Sequence, residues 1–210
     1  MTKKEKAKAI YELLNKNSPE KIEFLTANAT WQLLVCIILS SQTTDKMVMK
    51  VAPHLFEKFP SLEALSIADV NEIKSCIKSI GFYNAKANNI KRTAEILHTE
   101  YNDEVPLSID ELTKLPGVGR KTANCIIGHT LGKDAIIVDT HFKRVVNRLG
   151  LTKTEDPEKI EAEMKKLFAS EEQFRFSMTA NLFGREICHS RSPNCEVCYL
   201  KEFCTLYIIT

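Results

Sequence analysis

Residues 115–123 read Leu115-Pro116-Gly117-Val118-Gly119-Arg120-Lys121-Thr122-Ala123. Two glycines flanking one apolar residue let the backbone turn tightly. They also deliver successive N–H groups to the start of the helix that follows. The first N–H groups of a helix lack internal acceptors and sit at the positive end of its dipole, so they favour an anion. Neither glycine carries a side chain that would hold a phosphate away. The spacing is not that of a P-loop, which needs four residues between its glycines, nor of a GxGxxG turn after a strand. Pro116 to Gly119 alone is equally well a plain turn between helices. Arg120 and Lys121 directly behind it favour the anion-holding alternative.

The background around this turn is helical. The chain has 210 residues with 7 Gly and 7 Pro, against roughly 15 and 10 at ordinary usage. Gly and Pro are the main helix breakers, so a chain poor in both reads as all-α. Apolar periodicity places helices over 3–16, 30–41, 45–58, 69–79, 83–100, 119–131, 157–169 and 173–187. Asp45 is the expected N-cap of the third and Gly81 the expected closure of the fourth. Ala135 to Val138 reads as a buried extended loop, because a lone strand in a helical chain has no partner. Asp139 then caps a helix through about 149. With a short helix before it and a long one after, the 115–123 stretch has the form of a helix-hairpin-helix, which grips a DNA backbone without reading bases.

Net charge is only +2, but its distribution is uneven. Residues 112–150 carry seven Lys and Arg against Asp134 and Asp139, a local +5. Residues 151–172 carry four Lys and seven acids, a local −3. A basic segment offset by an acidic one suits a polyanion face, although ordinary solvated helix faces look alike on charge alone. The longest apolar run, Leu33 to Leu39, is too short to span a bilayer. No targeting segment is evident, so no membrane partner and a cytoplasmic location are expected.

Lys121 falls in the first turn of the hairpin helix. It is either a phosphate contact or an amine nucleophile that forms a Schiff base. A nucleophilic amine must be neutral, and about one free lysine in 2,500 is neutral at pH 7. Correcting that takes about 3–4 kcal/mol, whereas a helix N-terminus supplies about 0.3–1 kcal/mol. Desolvation in a closed site and a cation such as Arg120 must do the rest. Asp139 is either a plain N-cap or a carboxylate that stabilises positive charge on a sugar.

The 7 Cys are clustered too. Cys188, Cys195, Cys198 and Cys204 give the spacing C-x6-C-x2-C-x5-C. In a reducing compartment such a set reads as metal ligands. Spacing alone leaves zinc and iron–sulfur open. Cys36, Cys76 and Cys125 lie on apolar helical faces and read as buried, inert thiols.

Taken together, five stretches resemble the endonuclease III family of helix-hairpin-helix DNA glycosylases. They are Leu39 to Asp45, Ile80 to Ala87, Leu115 to Asn124, Val138 to His141, and the terminal Cys set, and they span the chain. The resemblance implies a base excision repair enzyme: a DNA N-glycosylase for oxidised pyrimidines that also nicks the strand 3′ to the abasic site. It implies Lys121 as the nucleophile at C1′ and Asp139 as the residue that assists base loss. It implies DNA contacts from Gln42, Ile80, Phe82, Gly117, Val118, Gly119, Arg120, His141 and Arg191. Gln42 would fill the hole left by a flipped nucleotide, while Ile80 and Phe82 would wedge against the opposite strand. It decides the Cys set as ligands of a [4Fe–4S] cluster. It further implies a monomer acting on duplex DNA with damaged pyrimidines or abasic sites. The implied domains are a six-helix barrel over 22–132 and a cluster domain built from 1–21 and 133–210.

Related adenine glycosylases share the hairpin, the aspartate and the cluster but generally lack the lysine, so Lys121 argues against that branch. A non-catalytic DNA-backbone binder remains the reading from a different class. Two positions depart from the common family pattern. Phe82 stands where leucine is frequent, and Phe183-Gly184-Arg185 stands where His-Gly-Arg is frequent.

Overall fold

A computed structural model of the chain describes residues 1–208. Among the described residues every regular element is a helix. They are α1 (Lys3–Lys16), α2 (Thr30–Ser40), α3 (Asp45–Lys58), α4 (Leu62–Ile67), α5 (Val70–Cys76), α6 (Tyr83–Glu100), α7 (Ile109–Leu112), α8 (Arg120–Leu131), α9 (Thr140–Arg148), α10 (Pro157–Leu167), α11 (Ser170–Glu186) and α12 (Thr205–Ile208), with one 3-10 turn at Lys201–Phe203. The chain forms two compact units, Glu23–Ile126 and Met1–Ile22 with Ile127–Thr210, so the division falls inside α8.

The unit Glu23–Ile126 is built around α2. Six consecutive residues, Leu34 to Leu39, are buried, as a helix apolar on all sides along that stretch requires. The inner stripe of α6, Ala87, Ile90, Ala94 and Leu97, is buried in the same unit. The helix ends follow local chemistry. Ser61 accepts from Ala64 N (3.1 Å) and Ser108 from Glu111 N (3.2 Å), each satisfying a donor that the helix leaves unpaired.

The second unit has its own core. Ile10 and Leu14 of α1, Phe142, Val145 and Val146 of α9, Met164 of α10 and Phe176 of α11 are all buried together. Phe168 stacks on Phe176 at 4.0 Å between centroids. Arg175 of α11 donates to Asn15 Oδ1 (2.6 Å) and to the carbonyls of Glu20 and Pro19 (both 2.7 Å), which ties the end of α1 to α11. Ala135 to Val138 is extended and not a strand, as expected. One of its N–H groups is met by a side chain: Ser177 Oγ accepts from Ile137 N (3.0 Å).

Several boundaries differ from the sequence reading. Thr44, not Asp45, caps α3, accepting from Met47 N (3.3 Å); Asp45 becomes the first helical residue. α5 closes at Cys76 with Ile77 as its C-cap, earlier than expected. Gly81 does not take the left-handed conformation there; Phe82 does, at φ 58°. α11 starts at Ser170 because Glu172 reaches back to Ala169 N (3.1 Å) and fixes the entry. Cys36 and Cys76 are buried as expected, but Cys125 is only half-buried.

Candidate functional site

The hairpin lies in the unit Glu23–Ile126. Helices α7 and α8 are joined through Leu115–Gly119, where Val118 N donates to Leu115 O (3.1 Å). Gly117 has φ +79°, and a Cβ there would lie 2.8 Å from Asn89 Nδ2 and 3.2 Å from Ile38 Cγ2. A side chain at this position meets both backbone strain and a steric barrier. Thr93 of α6 donates to Pro116 O (3.1 Å), fastening the turn to α6. Gly119 faces open space. Val118 points its side chain inward and is buried, so the turn offers backbone there rather than an apolar side chain. Arg120 and Lys121 are the first two residues of α8, and both are exposed.

Gln42 is exposed at φ 52° in the loop between α2 and α3. Of the two residues expected as wedges, only Phe82 presents a side chain, 66% exposed. Ile80 is 2% exposed and belongs to the core. Its N–H closes a turn on Ile77 O (2.9 Å), which aims the side chain inward. Gln42 and Phe82 are two of six described non-glycine residues with positive φ, and unlike Asn102, Asp103, Asp134 and Ser192 they are not usual turn residues. Such strain collects at functional positions. Gly81 lies against the Gln42 carbonyl, with its Cβ position 3.9 Å from that oxygen.

Lys86 is a residue that sequence reading missed. It is 5% exposed, and its ammonium donates to Leu39 O (2.9 Å), Ser41 O (2.7 Å) and Thr43 Oγ1 (2.9 Å). Burial pushes its pKa down from the ordinary lysine value. The spacing of Lys86 on α6 carried a hint: it sits next to the inner residue Ala87 on a helix otherwise polar at its N-terminal end.

Asp139 lies in the other unit. It is the N-cap of α9, as expected, with Oδ1 accepting from Phe142 N (2.7 Å). Oδ2 accepts from the Asn181 side-chain amide, and Asn181 Oδ1 accepts from Arg185 Nε (2.8 Å). Neither Asn181 nor Arg185 was legible as a partner, since both lie more than 40 positions away. The close packing of α9 and α11 that makes this possible needs Gly184: a Cβ there would lie 3.1 Å from His141 Cβ and from Val145 Cγ2. His141 is half-buried, and its Nδ1 lies 3.2 Å from an Arg144 Nη2.

Arg144 and Arg148 of α9 hold the start of the Cys segment. Arg144 donates to Gly184 O (2.7 Å) and Cys188 O (2.9 Å). Arg148 donates to Cys188 Sγ (3.2 Å), His189 O (2.7 Å) and Ser190 O (3.1 Å). Arg191 is exposed beyond them, followed by Ser192 at φ 51°. Cys188, Cys195, Cys198 and Cys204 line one cavity of about 340 Å³, walled also by Leu149, Phe183, Ile187 and Leu206. Phe183, the departure noted above, is buried and packs edge-on against Tyr199 at 5.2 Å. Burial raises the Cys198 thiol, and the nearby thiols of Cys188, Cys204 and Cys195 add to that. Among the described residues no three His, Cys, Asp or Glu side chains close on a single-ion site. The four thiols stand around a space instead.

Residues 35–170 match the family model described as HhH-GPD superfamily base excision DNA repair protein. The chain is 42% identical over 204 residues to endonuclease III of Synechocystis sp., covering 97% of this chain and 93% of the relative. It is 38% identical over 198 residues to endonuclease III of Rickettsia felis, covering 94% and 93%. A solved structure of a trapped endonuclease III–DNA covalent intermediate superposes with a TM-score of 0.93 at 36% identity, covering 100% of this chain and 99% of that one. A thermostable thymine-DNA glycosylase superposes with a TM-score of 0.87 at 25% identity, covering 98% of each. The chain belongs to the HhH-GPD superfamily of base excision DNA repair proteins and, within it, to the endonuclease III family.

Proposed function

We propose that this protein is a bifunctional DNA N-glycosylase and abasic-site lyase for oxidised pyrimidines in duplex DNA. The observation that carries it is the Lys121 amine, exposed in the first turn of α8 directly behind the Gly117–Gly119 turn. The backbone of that turn and the start of α8 hold a phosphate, which brings the neighbouring sugar to Lys121. A capture of this kind needs no base contact, so it suits an enzyme that must inspect any sequence.

The reaction runs through a covalent imine. Lys121 Nζ bonds to C1′ as the base leaves with the glycosidic electron pair and takes up a proton. The C1′–O4′ bond then opens, giving an imine between Nζ and C1′. Loss of a C2′ proton forms a C2′=C3′ double bond and breaks the C3′–O3′ bond, so the strand beyond leaves with a 5′ phosphate and the DNA is nicked 3′ to the lesion. Water cleaves the imine and frees Lys121. Asp139, fixed by its cap bond, stabilises positive charge on the sugar as the base departs. Gln42 fills the gap left by the flipped nucleotide, whose extrusion costs a few kcal/mol, and Phe82 wedges beside it. Arg120, His141 and Arg191 serve the phosphate backbone.

Cys188, Cys195, Cys198 and Cys204 would hold a [4Fe–4S] cluster. The four-thiol donor set and a cavity with room between the sulfurs fit that group. A zinc ion instead needs four sulfurs about 2.3 Å from one point. When bound, the cluster supplies four iron–thiolate bonds that cross-link the Cys segment. The protein acts as a monomer in the cytoplasm, where reduced thiols remain available as ligands.

Incubation with a duplex holding one oxidised pyrimidine tests this. Free base and a strand nicked 3′ to the lesion are expected from the intact protein. Lys121→Ala should bind the duplex but release neither. Base release without any nick from the intact protein would contradict the lyase assignment.

A further inference from the structure

Within the unit Glu23–Ile126, one buried lysine grips the loop around Gln42, a strained and exposed position. All three donors of the Lys86 ammonium are used, two on the carbonyls of Leu39 and Ser41 and one on Thr43 Oγ1. Leu39 lies in the last turn of α2, where free carbonyls and the negative end of the dipole favour a cation. Ser41 and Thr43 bracket Gln42, so the ammonium grips the loop on both sides of its left-handed residue. The Phe82 turn sits at the start of the same helix, where the Lys86 backbone N–H makes the first bond of α6 to Phe82 O (3.1 Å), a bond that any residue at position 86 would keep. Gly81 brings that second turn against the Gln42 carbonyl.

The same helix also carries the hairpin. Asn89 packs against Gly117 and Thr93 donates to Pro116 O (3.1 Å). Lys86 and Thr93 are seven residues apart on α6, about 10 Å along its axis. One rigid helix thus carries the Gln42 loop, the Phe82 turn and the phosphate-holding turn at set separations. A buried cation with three hydrogen bonds is hard to displace, because losing its acceptors leaves an unpaired charge out of water.

We propose that Lys86 is a positioning residue for damage recognition, its ammonium holding the Gln42 loop against α6, the helix that also carries the Phe82 turn and the 115–119 turn. This rests on the assignment of Gln42 as the residue that fills the gap. In it Lys86 touches no DNA; it acts by making Gln42 arrive already ordered, so that the duplex does not bear the entropy of fixing the loop.

The test uses the full-length protein and three fluorescent duplexes of equal length. One is undamaged, one holds a tetrahydrofuran abasic analogue, and one holds the analogue opposite a one-nucleotide gap. Affinities are measured for the intact protein, Gln42→Ala, Lys86→Met, Thr43→Val and the Gln42→Ala/Lys86→Met double variant, with melting curves for each. Lys86→Met should lower the preference for the abasic over the undamaged duplex by about tenfold, the scale of one or two lost hydrogen bonds. Affinity for the undamaged duplex and its salt dependence should stay unchanged. The double variant should lose no more than Gln42→Ala alone, Thr43→Val should show a smaller loss than Lys86→Met in the same direction, and the gapped duplex should restore most of it.

Loss of preference in Gln42→Ala with intact-protein behaviour in folded Lys86→Met and Thr43→Val overturns the proposal and leaves the Gln42 assignment standing. Intact-protein behaviour in Gln42→Ala overturns that assignment and the proposal with it. An equal loss on damaged and undamaged duplexes in Lys86→Met assigns Lys86 a purely structural role and also overturns the proposal. Should Lys86→Met fail to fold, Thr43→Val decides by the same criterion, since it removes only the Thr43 Oγ1 bonds with Lys86 and with Ser41 O (3.4 Å) at a half-buried position.

Discussion

The Asn181 side-chain amide donates to Asp139 Oδ2 while the Phe142 backbone N–H donates to Oδ1. Both carboxylate oxygens are therefore held, one by the helix cap and one by a side chain from α11. Arg185 Nε on Asn181 Oδ1 (2.8 Å) sets which end of the amide faces Asp139. Replacing Asn181 with Leu removes the second hold and leaves the cap. The base-release step should slow by about 5- to 100-fold, as expected when a bond to a charged group is lost. Affinity for an abasic-analogue duplex should change little. Single-turnover rates with an oxidised-pyrimidine duplex measure the first, and anisotropy titration the second.

Gly117→Ala should weaken DNA binding without regard to damage. The φ of +79° and the 2.8 Å approach to Asn89 Nδ2 both oppose a Cβ. The cost is about 1–3 kcal/mol, taken partly from stability and partly from the shape of the turn. Affinity for undamaged duplex and the slope of its salt dependence should fall together. Gly119→Ala, which meets open space, should fold normally, so any binding loss there reports the phosphate contact alone.

Iron and sulfide analysis of the purified protein should find about four of each per chain, with broad visible absorbance. Cys198→Ser should remove both signals and lower the melting temperature, because the cross-link over residues 188–204 is lost. One zinc per chain and a colourless protein would contradict the cluster assignment.

Burial pushes the Cys36 thiol up to about 12. Its thiolate is therefore absent in the folded protein at moderately alkaline pH, and the thiolate is the reactive form. Cys36 should resist maleimide at pH 8.5 until the protein is unfolded. The unfolded chain releases this proton near the ordinary value of 9.0 while the folded chain keeps it. The folded state then binds more protons, so this group makes stability fall as pH rises above about 9. Melting temperatures between pH 8 and pH 10 check the direction.

Much of the fold was legible because its signals are local. Scarce Gly and Pro, apolar periodicity and cap residues placed the helices, and Asp139 read correctly as an N-cap. The misplaced boundaries arose where two local candidates compete, as with Thr44 and Asp45. The turn before α6 was misread because glycine is the default for positive φ, yet here Phe82 bears the strain. Lys86 and Asn181 were hidden for another reason. A lysine near the start of a polar helix reads as solvated, and only the loop brought beside it by folding supplies its acceptors. Asn181 meets Asp139 across 42 positions of sequence, a distance over which periodicity carries no information.

The proposed chemistry turns on a covalent bond between Lys121 and the sugar. Borohydride reduces an imine to a stable amine, so adding it during reaction with an abasic duplex fixes the intermediate. A protein–DNA adduct is expected on a denaturing gel, with the peptide containing Lys121 carrying the DNA, and no adduct from Lys121→Ala. An adduct of equal yield in Lys121→Ala, or none from the intact protein while the strand is nicked, would contradict that chemistry.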